Sequence, residues 1–207
     1  MVPGLAISGK KLSGKDTVHA YIAARLVRPV VRHKWADALK EDYIKMLAAV
    51  GVKVTREQLD DNHNPDKALH VKGMQWYGTD FWRRQDPDYW VRRGLAEIEA
   101  ILEMGKREQE RPFIVNTDSR FPNEIGALKQ RGFITVRLTV SPERQSERAK
   151  TLGLEITRGE LFHESETALD DYPAFDYIID ADKPLAEMLA DIEGVLVSSG
   201  EKLRGLF

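Results

Sequence analysis

Near its N-terminus the chain reads Gly4-Leu5-Ala6-Ile7-Ser8-Gly9-Lys10-Lys11-Leu12-Ser13-Gly14-Lys15-Asp16-Thr17. The apolar residues before Gly9 predict a β-strand, the residues up to Gly14 predict a glycine-rich loop, and Lys15 opens a segment with helical periodicity. Strand, glycine-rich loop and helix in this order are the context of a phosphate-binding P-loop. A plain glycine turn with surface lysines is the alternative that the pattern leaves open.

The spacing of the two glycines has a physical reason. A loop that wraps a polyphosphate turns its backbone N–H groups inward, which requires glycine where φ is positive or where a Cβ would meet a phosphate oxygen. The following helix adds the positive end of its dipole, and the Lys15 ammonium can reach the β- and γ-phosphates. Asp16 stands where most P-loops have Ser or Thr, and a hydroxyl follows at Thr17. Since a carboxylate is also a hard oxygen ligand, the loop predicts a bound nucleoside triphosphate with Mg²⁺.

The composition is typical of a soluble globular protein, with 207 residues of which 42% are hydrophobic and 31% charged. No apolar run approaches the ~20 residues that cross a bilayer, and the first strand leaves no room for a signal peptide, so we expect a cytoplasmic protein. The absence of cysteine excludes thiolate metal sites, and the five histidines lack the paired spacing of a zinc site. A formal net charge of −2 gives no reason to expect a nucleic acid or membrane partner.

A second strand end carries polar residues. Phe113-Ile114-Val115-Asn116 predicts a buried strand, and it leads into Thr117-Asp118-Ser119-Arg120. In an open parallel sheet, ligands bind beyond the carboxyl ends of the strands. We therefore expect Asp118 and Arg120 to lie in the same crevice as the glycine-rich loop.

Strands and helices alternate along the chain, which predicts a three-layer α/β fold with a mostly parallel, five-stranded sheet. We expect one domain over residues 1–207, with a helical insertion at about 51–105 that binds an acceptor and a lid at about 141–170. Among local signals, Asp37 predicts a helix cap and Thr55 opens a capping box. Gly78-Thr79 predicts a break in a helix, Pro87 a first helical position, and the residues from Ser198 a frayed tail.

Several blocks of the sequence resemble bacteriophage deoxynucleoside monophosphate kinases. The loop residues Ser8 to Thr17 are similar to those of that family, in which Asp also follows the lysine. Further similar blocks follow in the same order and span nearly the whole chain: Trp76 to Asp80, Asp88 to Val91, Ile114 to Arg120, His163 to Glu166, and Tyr177 to Asp180.

The resemblance implies transfer of the ATP γ-phosphoryl group, with Mg²⁺, to a deoxynucleoside 5′-monophosphate. It implies small-molecule partners only, a possible homodimer and, if the chain is phage-encoded, a location in the host cytoplasm. Ser13, Gly14, Lys15 and Thr17 would hold the ATP phosphates, and Asp16 with Thr17 the metal. Lys11 would bridge the two substrates, Arg120 would clamp the acceptor phosphate, and Asp118 would position it.

The resemblance also implies roles for residues in the two predicted appendages of the domain. Gly78, Thr79 and Trp90 would line the base and sugar site, with Ala36 and Asp37 beside the acceptor. Arg144, Arg148 and Arg158 would belong to the lid, although a solvated helix face explains each of them equally well.

Two other functions remain open at this point. One is a kinase of another small phosphorylated metabolite, because animal phosphomevalonate kinases resemble this chain in the same loop. The other is a non-catalytic ATP-binding module with no acceptor. Arg120 and the tryptophan-rich middle of the chain favour an acceptor, since a regulatory module has no evident need for a second anion site.

Overall fold

The glycine-rich loop follows the central strand of a five-stranded parallel sheet. The computed structural model describes residues 2–61, 63–154 and 163–205. The strands are β1 (Gly4–Gly9), β2 (Val30–His33), β3 (Phe113–Ser119), β4 (Ile134–Thr139) and β5 (Tyr177–Asp180). They are arranged in the order β2-β3-β1-β4-β5, and every neighbouring pair is parallel. The predicted α/β fold is confirmed.

Helices connect these strands. They are α1 (Lys15–Arg25), α2 (Trp35–Ala49), α3 (Arg56–Asp60), α4 (Lys67–Gln75), a π-helix (Trp76–Arg83), α5 (Tyr89–Arg107), α6 (Pro122–Gln130), α7 (Pro142–Thr151), α8 (Glu164–Thr167) and α9 (Leu185–Ser198). No helix in the described ranges is both long and apolar enough to cross a bilayer.

The core explains why the sheet forms as it does. Residues Gly4 to Ser8 of β1 and Phe113 to Thr117 of β3 are all buried, so both faces of the sheet are covered. On one face, Leu5 and Ile7 belong to a cluster with Ile22 of α1 and Ile192 of α9. Burial of this kind contributes about 1.5–3 kcal/mol for each large apolar side chain. The central position of β1 therefore places the loop after it on a well-packed support.

The chain forms two compact units. The first, Met1–His33 with Glu97–Phe207, contains the whole sheet, and the second is Lys34–Ala96. The second unit has its own apolar cluster, which includes Tyr43, Leu59, Tyr77 and Trp90.

Three local predictions in the second unit were wrong. Helix α2 begins at Trp35, so Asp37 lies inside the first turn instead of capping it, and its carboxylate pairs with Arg56. Gly78-Thr79 does not break the helical segment, because α4 continues through both residues as the π-helix Trp76–Arg83. Helix α5 begins at Tyr89, and Pro87 belongs to the turn before it.

The prediction of a frayed C-terminus was also wrong for the described residues. Helix α9 continues to Ser198, and Leu203 beyond it is buried and pairs with Leu26 in an antiparallel bridge. Glu201 is also buried, within reach of Arg28 at 3.4 Å. Arg158, one of the predicted lid arginines, lies outside the described residues.

Candidate functional site

The loop between β1 and α1 has the backbone geometry that its glycines predict. Gly14 precedes α1 with φ of 97°, a left-handed conformation that side chains rarely adopt. A Cβ on Gly9 would lie 2.4 Å from Ser13 Oγ and 2.8 Å from the backbone oxygen of Leu138. Both positions therefore require glycine, one for its dihedral angle and the other for space.

Lys15 is folded back over this loop. Its Nζ donates to the carbonyl oxygens of Gly9 at 2.7 Å and Lys10 at 2.8 Å, and it lies 3.4 Å from Ser13 Oγ. Burial, together with the positive charges of Arg120 and Arg137, lowers the pKa of Lys15 to about 7, although the carboxylates of Asp16 and Asp118 oppose the shift. The ammonium therefore lies in a partly dehydrated site with an excess of positive charge.

Arg120 lies beside the loop, as the sequence predicted. Strand β3 pairs with β1, and the Ser8 hydroxyl donates to the Ser119 carbonyl oxygen at 3.0 Å, which fixes the two strand ends together. The half-buried Arg120 guanidinium pairs with Glu166, whose other carboxylate oxygen accepts the backbone N–H of Lys11 at 3.2 Å. One carboxylate thus joins Arg120 to the loop.

Burial lowers the pKa of Arg120, and the carboxylates of Asp118 and Glu124 raise it in part. Glu124 also accepts the backbone N–H of Arg120 at 2.7 Å, at the start of α6. These contacts hold the residue in place at the turn after β3. An arginine retains its charge in such surroundings, so the position keeps a cation facing the loop.

Asp16 and Asp118 are the two carboxylates nearest in sequence to the ends of β1 and β3, and within the described residues no cluster of three or more possible metal ligands is found. Asp16 and Asp118 both act electrostatically on the Lys15 ammonium, and hard oxygen ligands are what Mg²⁺ prefers. Asp118 accepts from the Asn116 amide at 3.3 Å. Asp16 is exposed and pairs with Arg32, while Thr17 beside it is exposed in the first turn of α1.

Two strand arginines in this region were not predicted from the sequence. Arg32 of β2 pairs with Asp16 and donates from Nε to Thr117 Oγ1 at 3.1 Å. Arg137 of β4 donates to Ser8 Oγ at 2.9 Å and pairs with Asp170 at 2.9 Å. An arginine inside a predicted strand is the signal that could have found both, because its charge must reach a polar partner.

Helix α7 supports the loop from its outer side. Gln145 Nε2 donates to the Lys11 carbonyl oxygen at 2.5 Å, and Arg148 Nη1 donates to the Leu12 carbonyl oxygen at 2.7 Å. Arg148 Nη2 donates to Ala181, directly after β5, at 2.6 Å. Arg148 therefore connects the loop to a neighbouring strand end, where it contacts backbone carbonyl groups.

Arg144 lies one turn earlier on α7. Its guanidinium pairs with Glu147 at 3.0 Å, and its backbone N–H donates to Ser141 Oγ, the cap of the helix. The residue borders an open surface pocket of about 460 Å³. The pocket is lined by Ser141, Glu143, Arg144, Glu147, Asp182 and Pro184.

The remaining predicted acceptor residues belong to the second unit: Ala36, Asp37, Gly78, Thr79 and Trp90. Trp90 is buried in the apolar cluster of that unit, and its indole N–H donates to the Gly78 carbonyl oxygen at 2.9 Å. A buried indole with a satisfied N–H stabilises the fold of the unit. A role for these residues in binding a base or a sugar stays a prediction.

No family model matches the chain, and no curated protein matches it significantly. Among solved structures, the fold is similar to that of a sugar kinase from Janibacter sp. HTCC2649, with a TM-score of 0.50, 14% identity, and coverage of 95% of this chain and 94% of that chain. It is also similar to TT1252 from Thermus thermophilus, with a TM-score of 0.53, 16% identity, and coverage of 94% and 96%.

A gluconokinase from Sinorhizobium meliloti 1021 is 20% identical over 96% of this chain and 98% of that chain, but its TM-score of 0.49 is too low to bear on the fold. At these identities the likeness concerns architecture alone. The parallel sheet with its central β1, the glycine-rich loop after it and the lysine at the start of α1 agree with that likeness. The chain therefore has a P-loop kinase-like α/β fold.

Proposed function

We propose that the protein transfers the γ-phosphoryl group of ATP to a deoxynucleoside 5′-monophosphate. The observation that supports a transferase is the position of Arg120, whose guanidinium shares a carboxylate with the loop amide of Lys11 and acts on the pKa of Lys15. Two sets of anion-binding groups therefore lie together. A protein that only binds ATP has no evident need for the second set.

On this proposal the loop holds the donor. The backbone N–H groups from Lys11 to Gly14, the Ser13 hydroxyl and the Lys15 ammonium bind the β- and γ-phosphates, with Thr17 at the start of α1. Mg²⁺ held by Asp16 and supported by Asp118 would neutralise developing charge on the transferred group. The pocket bordered by Arg144 is the candidate site for the base of ATP. Arg148 braces the loop backbone, so its contribution is to positioning.

Arg120 is the proposed clamp for the acceptor phosphate, and Lys11 the bridge between donor and acceptor. Phosphoryl transfer needs little covalent help from the protein, since the main tasks are in-line positioning and neutralisation of charge. Asp118 would orient the acceptor from the end of β3. The assignment of Gly78, Thr79 and Trp90 to the base and sugar rests on the sequence resemblance alone.

The choice of a deoxynucleotide depends on the sequence resemblance. A phosphomevalonate-like acceptor uses the same chemistry, so the two are separated by assay. Release of ADP is followed with each of the four deoxynucleoside monophosphates, their ribonucleotide counterparts and phosphomevalonate. Turnover with phosphomevalonate alone would favour the second acceptor, and ATP binding without any acceptor-dependent release of ADP would leave only a binding module.

Arg120→Ala tests the proposed clamp directly. Because it removes the cation that would hold the acceptor phosphate, we expect a loss of about a hundredfold or more in kcat/KM for the acceptor and a much smaller change in ATP affinity. Arg131→Ala, which removes an exposed arginine paired with Glu99 at 3.1 Å, is the matched control. Unchanged acceptor kinetics in Arg120→Ala would refute the assignment.

Lys15→Ala removes the ammonium that would bind the β- and γ-phosphates of ATP, so it should abolish turnover.

A further inference from the structure

Glu166 contacts both kinds of anion-binding group in the candidate site, a backbone N–H of the loop and an arginine side chain. It lies in the short helix α8, with its side chain only 10% exposed. One carboxylate oxygen accepts the Lys11 backbone N–H at 3.2 Å, and the other pairs with the Arg120 guanidinium. The Ser165 carbonyl oxygen also accepts from Arg120 Nη1, at 3.3 Å. The helix thus presents three oxygens to groups that suit an anionic ligand.

A carboxylate and a phosphoryl group bind to the same kinds of hydrogen-bond donor. Each presents oxygens to a backbone N–H and a guanidinium, and each is stabilised by charge-assisted hydrogen bonds. A phosphate oxygen bound between Lys11 N and Arg120 would therefore require the place of the Glu166 carboxylate. The phosphate and the Glu166 carboxylate cannot both occupy this position. Each would fill the same space, and the two negative charges would repel each other at short range.

We propose that Glu166 is an internal competitor for the phosphate subsite between the loop and Arg120, and that it determines how strongly a phosphorylated ligand binds there. This inference rests on the proposed function, since it assigns a competitor to the same anion site. Without ligand, the carboxylate neutralises Arg120 and keeps the Lys11 amide satisfied. A phosphate displaces it by offering a larger negative charge and more acceptor oxygens.

Local contacts of α8 keep Glu166 in position, and the residues after it tie the segment to the sheet, since Leu169 is buried and Asp170 pairs with Arg137 of β4 at 2.9 Å. The helix spans only Glu164–Thr167, and its cap is His163, whose Nδ1 accepts the Ser165 N–H at 3.2 Å. The Glu166 N–H donates to the His163 carbonyl oxygen at 2.8 Å. The Glu166 side chain can rotate away from the site while the helix stays in place, so release of the carboxylate breaks only its two contacts, at Lys11 and Arg120.

The effect on affinity follows from the population of the occupied state. When a site is open only a fraction of the time, the apparent dissociation constant is the intrinsic constant divided by that fraction. If the carboxylate fills the subsite about 90% of the time, its removal should lower the dissociation constant about tenfold. A residue that merely supports the loop would act in the opposite direction, because its loss would loosen the site.

The test compares Glu166→Gln with Glu164→Gln by calorimetric titration of pyrophosphate. Glu164 is exposed on the same short helix, so the control removes the same charge from nearly the same place. We expect an about tenfold lower dissociation constant for Glu166→Gln and no change for Glu164→Gln. Equal or weaker binding by Glu166→Gln would overturn the inference, as would equal tightening by both variants, which would indicate only a general charge effect.

Thermal unfolding with and without pyrophosphate shows whether each variant is folded. If Glu166→Gln does not fold, Glu166→Asp keeps the charge but is one methylene shorter, so it cannot reach both donors equally and should also bind pyrophosphate more tightly than wild type. Pyrophosphate binding involves no turnover. The inference can therefore fail while acceptor-dependent release of ADP persists, and the proposed function can fail while the affinity change is observed.

Discussion

Lys15 shows how a single side chain is prepared for an anion. Its Nζ has acceptors in the loop at 2.7 and 2.8 Å, which suit an ammonium, yet burial and the charges of Arg120 and Arg137 lower its pKa to about 7. In the protein without ligand, the Lys15 side chain therefore loses its proton more easily than an ordinary lysine does. A polyphosphate beside the ammonium would stabilise the charged form and raise the pKa again.

We expect ATP binding to be coupled to proton uptake above pH 7. At pH 8 a lysine with a pKa of about 7 is roughly one-tenth protonated, so binding of the anion should draw in a proton, and affinity should fall as pH rises. Calorimetry at pH 8 in two buffers with different ionisation enthalpies measures this uptake. In Lys15→Arg the guanidinium stays charged, so the dependence on buffer should disappear, and its absence in wild type would contradict the assigned pKa.

The glycine-rich loop depends on close packing at its first turn. A side chain on Gly9 would lie 2.8 Å from the Leu138 carbonyl oxygen, which belongs to a neighbouring strand and cannot move cheaply. It would also lie 2.4 Å from Ser13 Oγ, inside the loop itself. The loop and the end of β4 therefore constrain each other.

Gly9→Ala should distort the loop and reduce nucleotide binding at least tenfold, with a loss of about 1–3 kcal/mol in stability from overpacking. Gly126→Ala is the control, because a Cβ at Gly126 in α6 would meet no atom within 4 Å. A helical Gly to Ala change should leave binding unchanged and add up to ~1 kcal/mol of stability. Urea denaturation and ATP titration measure both effects, and equal ATP affinity in the two variants would argue against the packing constraint.

The elements that could be predicted from sequence are those with local causes. The apolar runs of β1 and β3 and the capping box at Thr55 all depend on neighbours a few residues away, and all are observed. Asp37 and Gly78 were misinterpreted because distant contacts decide their roles. Asp37 pairs with Arg56 across two helices, and Gly78 packs against Leu39.

In the candidate site, too, the residues with local causes could be predicted and those set by distant contacts could not. Lys15 follows from a local motif, and the proximity of Arg120 follows from a rule about strand ends in parallel sheets, which needs no knowledge of side-chain contacts. Glu166 belongs to the block His163 to Glu166 that resembles the family, but its contact with Lys11 could not be predicted, because the two residues are 155 positions apart. Arg148 was predicted as a lid residue, but its bonds to Leu12 and Ala181 are set by how α7 packs.

In the first unit, the segment after α9 is tied to the end of α1. The segment after α9 returns to the end of α1, where Leu203 pairs with Leu26 and the Arg204 N–H donates to the Arg25 carbonyl oxygen at 2.6 Å. Leu203 is 2% exposed and belongs to the same apolar cluster as Leu5 and Ile7. The C-terminal segment is thus part of the core that supports the loop.

Leu203→Ala should therefore destabilise the protein by about 2–5 kcal/mol, the cost of removing a buried leucine side chain. Leu185→Ala removes the same atoms from a residue that is 54% exposed at the start of α9, so its effect should be below about 1 kcal/mol. Urea denaturation of both variants gives the comparison. Because the core positions β1, Leu203→Ala should also weaken ATP binding as the temperature rises, well before Leu185→Ala does. Equal stability of the two variants would mean that the C-terminal segment is detached in solution.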